Sequence, residues 1–216
     1  MKTVDRISVM AISLLMCSLG LSAQEFRIGA DYERMLPAKM EFSSKLELRK
    51  TLIPQNTYYT ILQVGLKHEI LKNLSMGGTF RHSLTPTGRS ENLLESLDEK
   101  RRYTAELAYK YPRFDNGVRL SYRLRYQHSL TQKGHSKDYL RNRLKVDYKL
   151  IKDIQPYLAI EPYFRLEENK IRKYRFYLGS KINIHRMGME VSYIFEVKIH
   201  DELVKTSHMI GFNFEL

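Results

Sequence analysis

An all-β fold, an antiparallel up-and-down transmembrane β-barrel of about 10–12 strands, is what this 216-residue sequence predicts, on three observations. An apolar leader opens the chain. Eleven short segments follow in which apolar and polar residues alternate, and one of the two lanes is almost free of charge. The connections between segments then alternate between short and longer ones. Alternate residues of a strand share a face, so such a chain makes a sheet with one oily and one ionic surface. Repeated around a closed wall, that is the pattern of a membrane barrel.

The leader, residues 1–23, reads as a secretory signal peptide. Lys2 and Arg6 supply its positive start, Ile7 to Leu21 its apolar stretch, and Ser22-Ala23 a small-residue exit before Gln24. About fifteen apolar residues are few for a bilayer-spanning helix. Export by the general secretory route to the outer membrane of a Gram-negative-type cell is expected, with residues 24–216 as the single mature domain. The sole cysteine, Cys17, lies in the leader, and Leu15-Met16 before it lacks the small residues of a lipoprotein processing site. The mature chain then has neither disulfide nor thiolate chemistry. Behind the leader no apolar run approaches 20 residues, which excludes helical spans. The mean hydropathy of −0.44 averages over both strand faces and so hides a barrel. The sequence has 15 Tyr and no Trp, so Tyr is expected to form the interfacial girdles.

The segments come in order. The first sets Phe26, Ile28, Ala30 and Tyr32 outward and Arg27, Asp31 and Glu33 inward. The second sets Met40, Phe42, Leu46 and Leu48 against Glu41, Lys45, Glu47 and Arg49. Tyr58, Leu62, Val64 and Leu66 mark the third, and Leu74, Met76 and Phe80 the fourth. Tyr103 to Tyr111 alternate in the fifth and Val118 to Tyr126 in the sixth. The seventh opposes Leu140, Leu144, Val146, Tyr148 and Leu150 to Arg141, Arg143, Lys145, Asp147 and Lys149. Leu158, Ile160, Phe164 and Leu166 mark the eighth, and the last three run Tyr174 to Ile184, Met189 to Ile199 and Ile210 to Leu216. In these lanes Lys50 is the one charge on the oily side. A soluble sandwich also alternates, but it seldom carries four Arg/Lys in register along one strand. A lipid-facing Arg or Lys costs roughly 2–4 kcal/mol at mid-bilayer, which accounts for an uncharged lane.

Connections 34–39, 69–73, 112–117, 151–156 and 185–188 are the short set, and 51–57, 84–102, 129–138, 167–172 and 200–205 the other. Short periplasmic turns and longer external loops are the usual asymmetry. Eleven is an odd number, whereas both termini are expected in the periplasm. A wall of ten or twelve strands is therefore expected, with one segment split or missed, or with the first outside the closed wall. Ile210, Phe212, Phe214 and Leu216 resemble the terminal strand signal of outer-membrane assembly, with Leu216 where an aromatic is more usual.

Tyr139-Leu140-Arg141-Asn142-Arg143-Leu144-Lys145, then Tyr148-Lys149-Leu150, Pro156 and Glu161-Pro162-Tyr163-Phe164, are similar to the Arg-x-Arg strand and following Pro…Glu strand of domain-of-unknown-function family 2490. The resemblance implies an exported barrel and brings no activity, substrate or catalytic residue with it.

The candidate ligand site is an inward anion patch: Arg119, Arg123 and Arg125 on one strand, Arg141, Arg143, Lys145 and Lys149 on the next, with Glu161 beyond. Guanidinium forks suit carboxylate and phosphate. The competing reading is an internal ion-pair lattice with Glu106, Asp147, Glu161, Glu190 and Glu196, since buried charges are normally paired and a narrow barrel is nearly filled by long side chains. Pro162 marks an expected bulge. His82-Ser83, His128-Ser129 and Ser207-His208 are neighbours, so each pair splits across the wall and none is a nucleophile with its base. No Gly-rich phosphate loop, paired-Cys site or close His pair is present, so no cofactor, metal or catalytic residue is expected. The alternative to a non-enzymatic barrel with a structural, interactive or anion-handling role is a lipid-modifying enzyme, an acyl hydrolase or acyltransferase. The formal charge of +12, or +11 without Lys2, Asp5 and Arg6, points in an exported chain to outer-membrane lipid and lipopolysaccharide rather than nucleic acid. The barrel assembly machinery is the expected partner during insertion.

Overall fold

A computed structural model describes residues 23–52, 57–86, 97–151, 153–184, 187–200 and 203–216. The leader apart from Ala23, with Cys17, and residues 87–96 of the fourth connection lie outside the described residues. Each alternating segment forms a strand: β1 Glu25–Leu36, β2 Met40–Thr51, β3 Thr57–Leu71, β4 Leu74–Pro86, β5 Leu97–Lys110, β6 Val118–Thr131, β7 Ser136–Tyr148, β8 Ile154–Arg165, β9 Lys170–Ile184, β10 Met187–His200 and β11 Leu203–Glu215. Neighbours in sequence are neighbours in the wall, and β11 closes on β1.

The wall is a closed barrel of eleven strands, antiparallel at every junction except the last. There β1 and β11 run parallel, pairing Glu25 with Met209 through Asp31 with Glu215. That seam resolves the odd count without a missing strand. It also corrects the expectation that both chain ends share one end of the barrel: β1 starts at the end where β4 finishes and β5 begins, whereas β11 finishes at the opposite end, beside the turns after β1 and β3. These are called the loop end and the turn end below.

The interior is inverted relative to a soluble sandwich. On the outside, Leu158 is 60 % and Leu62 52 % exposed, whereas the largest fully buried side chains are two carboxylates, Glu161 and Asp147. Register produces this. Leu107 opposes Leu124, Leu120 opposes Val146, and Ile160 lies between Leu144 and Phe176, so outward residues of one strand meet outward residues of the next. A slip of one residue would turn every oily side chain inward.

The strands run further than the alternation alone indicates. The predicted 129–138 connection shrinks to residues 132–135 because β6 continues to Thr131 and β7 begins at Ser136. The added ends carry charge onto the outer lane: Arg34 opposes outward Phe42, and at the loop end Arg101 pairs with Glu99 at 3.3 Å. At that end too, Asp138 accepts from Tyr126 at 2.9 Å and contacts His128 Nδ1 at 2.7 Å. The two-residue turn between β3 and β4 places Asn73 at φ 69°, a left-handed position that asparagine tolerates better than most residues. In the β8–β9 loop, slight burial would raise the Glu167 carboxyl, but backbone N–H groups of Glu167 and Asp138 and the Arg165 guanidinium hold it below its usual range.

Pro162 acts as its chemistry requires. Pairing of β7 with β8 is interrupted between Arg141–Tyr163 and Leu144–Ile160, and the β8–β9 register shifts between Tyr163 and Phe164.

Candidate functional site

The lumen holds the candidate site, and its chemistry begins with β6, β7 and β8. Alternation aims Arg123 and Arg125 of β6 and Arg141 and Arg143 of β7 into the barrel, where Arg123 lies directly opposite Arg143 and Arg125 opposite Arg141. On β8, Glu161 joins them. Its Oε1 lies 3.0 Å from Arg141 Nη2 and 3.2 Å from Arg123 Nη2, while its Oε2 accepts from Tyr177 Oη at 2.7 Å and Tyr163 Oη at 3.4 Å. The carboxylate is fully buried. Two guanidiniums and two phenols compensate the desolvation that such a charge would otherwise suffer.

The other acids form similar nodes. Asp147 takes Arg119 at 3.2 Å and Arg113 at 2.8 Å, the latter reaching in from the turn before β6. Glu106 holds Arg125 across the β5–β6 pair. Glu196 gathers Arg175 at 2.5 Å, Lys198 at 3.2 Å and Lys173 at 3.3 Å. Glu190 differs from the expected lattice, because it accepts the Tyr157 hydroxyl.

Of the predicted patch, the structure brings Arg119, Arg123, Arg125, Arg141, Arg143, Lys145 and Glu161 to the lumen. Lys149 is the exception. β7 ends at Tyr148, and Lys149 lies exposed in the following turn, its N–H bonded to Gly117 O at 3.0 Å. Arg143 and Lys145 are held by rings instead of carboxylates: Arg143 lies over Tyr177 at 4.3 Å and Lys145 over Tyr157 at 4.0 Å. Such contacts are worth about 0.5–2 kcal/mol.

Tyr157, Tyr163 and Tyr177 occupy the inward lane, whereas Tyr32, Tyr58, Tyr103, Tyr122, Tyr126 and Tyr148 are exposed on the outer one. Tyr157 fits over Gly179, its cross-strand partner, where a Cβ would come within 2.6 Å of the ring. Alternation on β8 and β9 already assigned these tyrosines inward; composition alone had directed attention to the membrane interface.

Lumen residues outside the predicted patch also matter. Arg81, Arg102 and Arg175 join Arg123, Arg141 and Arg143 around a central cavity of about 340 Å³, whose carboxylates are Asp31, Glu47 and Glu190. Arginines far outnumber acids on that lining. A second cavity, of about 450 Å³, lies toward the turn end and shares Arg123 and Arg143 with the first.

The Ser–His pairs split as alternation requires. His128 sits on the outer face with Asp138, whereas Ser129 is buried inside and accepts from Gln127 Nε2 at 3.0 Å. His208 bonds Tyr193 Oη at 2.5 Å through Nδ1. Among the described residues no three His, Cys, Asp or Glu are grouped to hold a metal.

No curated protein matches the chain. The sequence profile of a family described as protein of unknown function, DUF2490, matches residues 29–199. That span runs from the first strand into the tenth and contains the Arg141–Arg143 strand and the Glu161–Pro162 strand. With its closed wall and charged interior, the chain belongs to the DUF2490 family.

Proposed function

We propose that the chain is an outer-membrane barrel whose lumen is sealed by ion pairs and takes up small anions rather than passing them. The observation that carries this reading is the reversal of polarity across the wall: Leu, Ile and Phe exposed outside, Glu161 and Asp147 fully buried inside. Water outside would leave a continuous apolar surface exposed, far beyond what soluble monomers present. Lipid removes that cost. The polar outer residues at the loop end, Glu99, Arg101, His128 and Asp138, suit a headgroup layer, with lipopolysaccharide as the natural neighbour. On this reading the turn end faces the periplasm, and the final strand with Phe212 and Phe214 is presented to the assembly machinery from there.

A sealed lumen is supported by Glu161 and Asp147, each tied to two arginines, by Glu106, tied to Arg125, and by Glu196, tied to Arg175 and two lysines. A conducting pore needs continuous water, and these nodes crowd the interior of a narrow barrel with long, paired side chains. The remaining cationic charge borders the central cavity, which supports retention of an anion inside the protein. A structural or interactive role in the envelope is compatible with the same geometry.

Fractionation of cells combined with planar-bilayer recording tests this. The protein should co-fractionate with the outer membrane, require detergent for extraction and give no stable single-channel steps. Recovery as a soluble monomer would end the membrane reading, and sustained anion-selective conductance would end the sealed lumen.

A further inference from the structure

Like charges set directly opposite on one face of a sheet repel. Among the described residues the lumen contains four such arginine pairs: Arg27 with Arg49, Arg81 with Arg102, Arg123 with Arg143, and Arg125 with Arg141. Three of them have an acid at hand. Glu25 lies 2.6 Å from Arg27 and 3.8 Å from Arg49. Glu161 serves Arg123 and Arg141, and Glu106 serves Arg125.

The pair on β4 and β5 is different. Arg81 Nε and Nη2 donate to Gln63 Oε1 at 2.9 and 2.6 Å, a neutral acceptor. Arg102 makes no ion pair or hydrogen bond among the described residues, and its Nε is buried without a partner. Among the described residues no aromatic ring lies over either guanidinium, in contrast to Arg143 over Tyr177. Two adjacent guanidiniums, removed from bulk water and facing each other, are a poor arrangement unless an anion completes it.

The cavities supply room and an entrance. Arg81 and Arg102 both border the central cavity and also a cavity of about 260 Å³ lined by Glu25, Thr85 and Asp98. Glu25 and Asp98 lie at the starts of β1 and β5, and Thr85 near the finish of β4, so this smaller cavity is at the loop end. The arginine pair therefore stands where the two spaces meet.

The geometry points to an oxyanion site at Arg81 and Arg102, taking a small ligand with two negative charges that enters from the loop end. This rests on the reading of the lumen as an anion-retaining interior and names the residues and ligand class. Two guanidiniums on adjacent strands border the same space, and Arg102 has its whole fork left to donate, which suits phosphate or a short dicarboxylate. The ligand supplies the neutralisation that Glu161, on β8, provides for Arg123 and Arg141. It need not cross the barrel, because the ion-paired nodes lie beyond.

The test uses the barrel of residues 24–216 in detergent micelles, with inorganic phosphate and succinate as probes and chloride holding ionic strength constant. Equilibrium dialysis should show saturable uptake of one anion per chain, and the unfolding midpoint should climb with the logarithm of probe concentration. Arg102→Gln should weaken binding by at least about tenfold, given the energy of hydrogen bonds to charged groups, and Arg81→Gln should do likewise. Because Arg102 leaves no partner behind, its variant should fold and be at least as stable as the parent without anion. Arg101→Gln, on the outer lane, should bind as the parent does. Response to phosphate alone identifies a tetrahedral oxyanion, and equal response to succinate identifies recognition of charge; either supports the site. Absence of uptake by the parent, or uptake unchanged in both lumen variants, overturns it. Uptake unchanged in those variants leaves the anion-retaining reading intact, whereas channel conductance would contradict the sealed lumen without touching this site.

Discussion

Glu161 is the residue on which the interior depends most. It is fully buried, and it neutralises two arginines from different strands while accepting from two tyrosines. Glu161→Gln keeps the shape and removes the charge, leaving Arg123 and Arg141 buried without a counter-ion. Loss of one partner of a buried pair costs about 3–5 kcal/mol, so urea unfolding in micelles should show a midpoint lowered accordingly. Lys149→Gln, in the exposed turn, should leave that midpoint unchanged. Glu161 and its arginines were legible in the sequence because alternation assigns inward residues without tertiary information. Lys149 was misplaced because the strand ends one residue earlier than its lane continues. Arg81 and Arg102 are not legible in the sequence as a site, for a different reason. Each is a lone inward arginine on its own strand, and only the β4–β5 register makes them a pair.

At the scale of the element, each strand is specified by its two lanes. The outward lane of β7, with Leu144 and Val146, meets outward residues on both neighbours. Val146→Arg would set a guanidinium on the proposed lipid face, at roughly 2–4 kcal/mol if it lies at mid-bilayer. Ser121→Arg, on the inward lane opposite Lys145, adds charge beside a water-accessible cavity. Refolding into lipid vesicles, followed by protease protection, should show a severe loss for the first and a smaller one for the second. Equal losses would mean that the lanes are assigned wrongly. Strand existence was readable from period-two alternation, and Pro162 located the interruption of the β7–β8 ladder. Strand ends were less readable, because polar residues such as Glu99, Arg101 and Asp138 continue the pairing where the oily pattern has stopped.

For the whole molecule, closure rather than any one strand decides the outcome. Eleven antiparallel segments cannot close on themselves antiparallel throughout, so β1 meets β11 in parallel over Glu25–Asp31. Parity argues for an even number of strands when both chain ends are placed at one end of the barrel. A parallel seam leaves no local sequence signal, so the count was legible and its consequence was not. The seam sets the start of β1 and the finish of β11 at opposite ends of the barrel, and on the proposed orientation Gln24 emerges at the cell surface. On the proposed reading the outward lane touches hydrocarbon while the inward lane touches a closed, charged interior. Because residues 24–216 contain no cysteine, single cysteines carrying a fluorophore can be placed at will. In lipid vesicles, labels at Leu124→Cys and Val146→Cys should be quenched strongly by lipid-borne spin labels, and a label at Ser121→Cys, on the same strand as Leu124, should not. Equal quenching at all three positions, or none at Leu124 and Val146, would contradict the account.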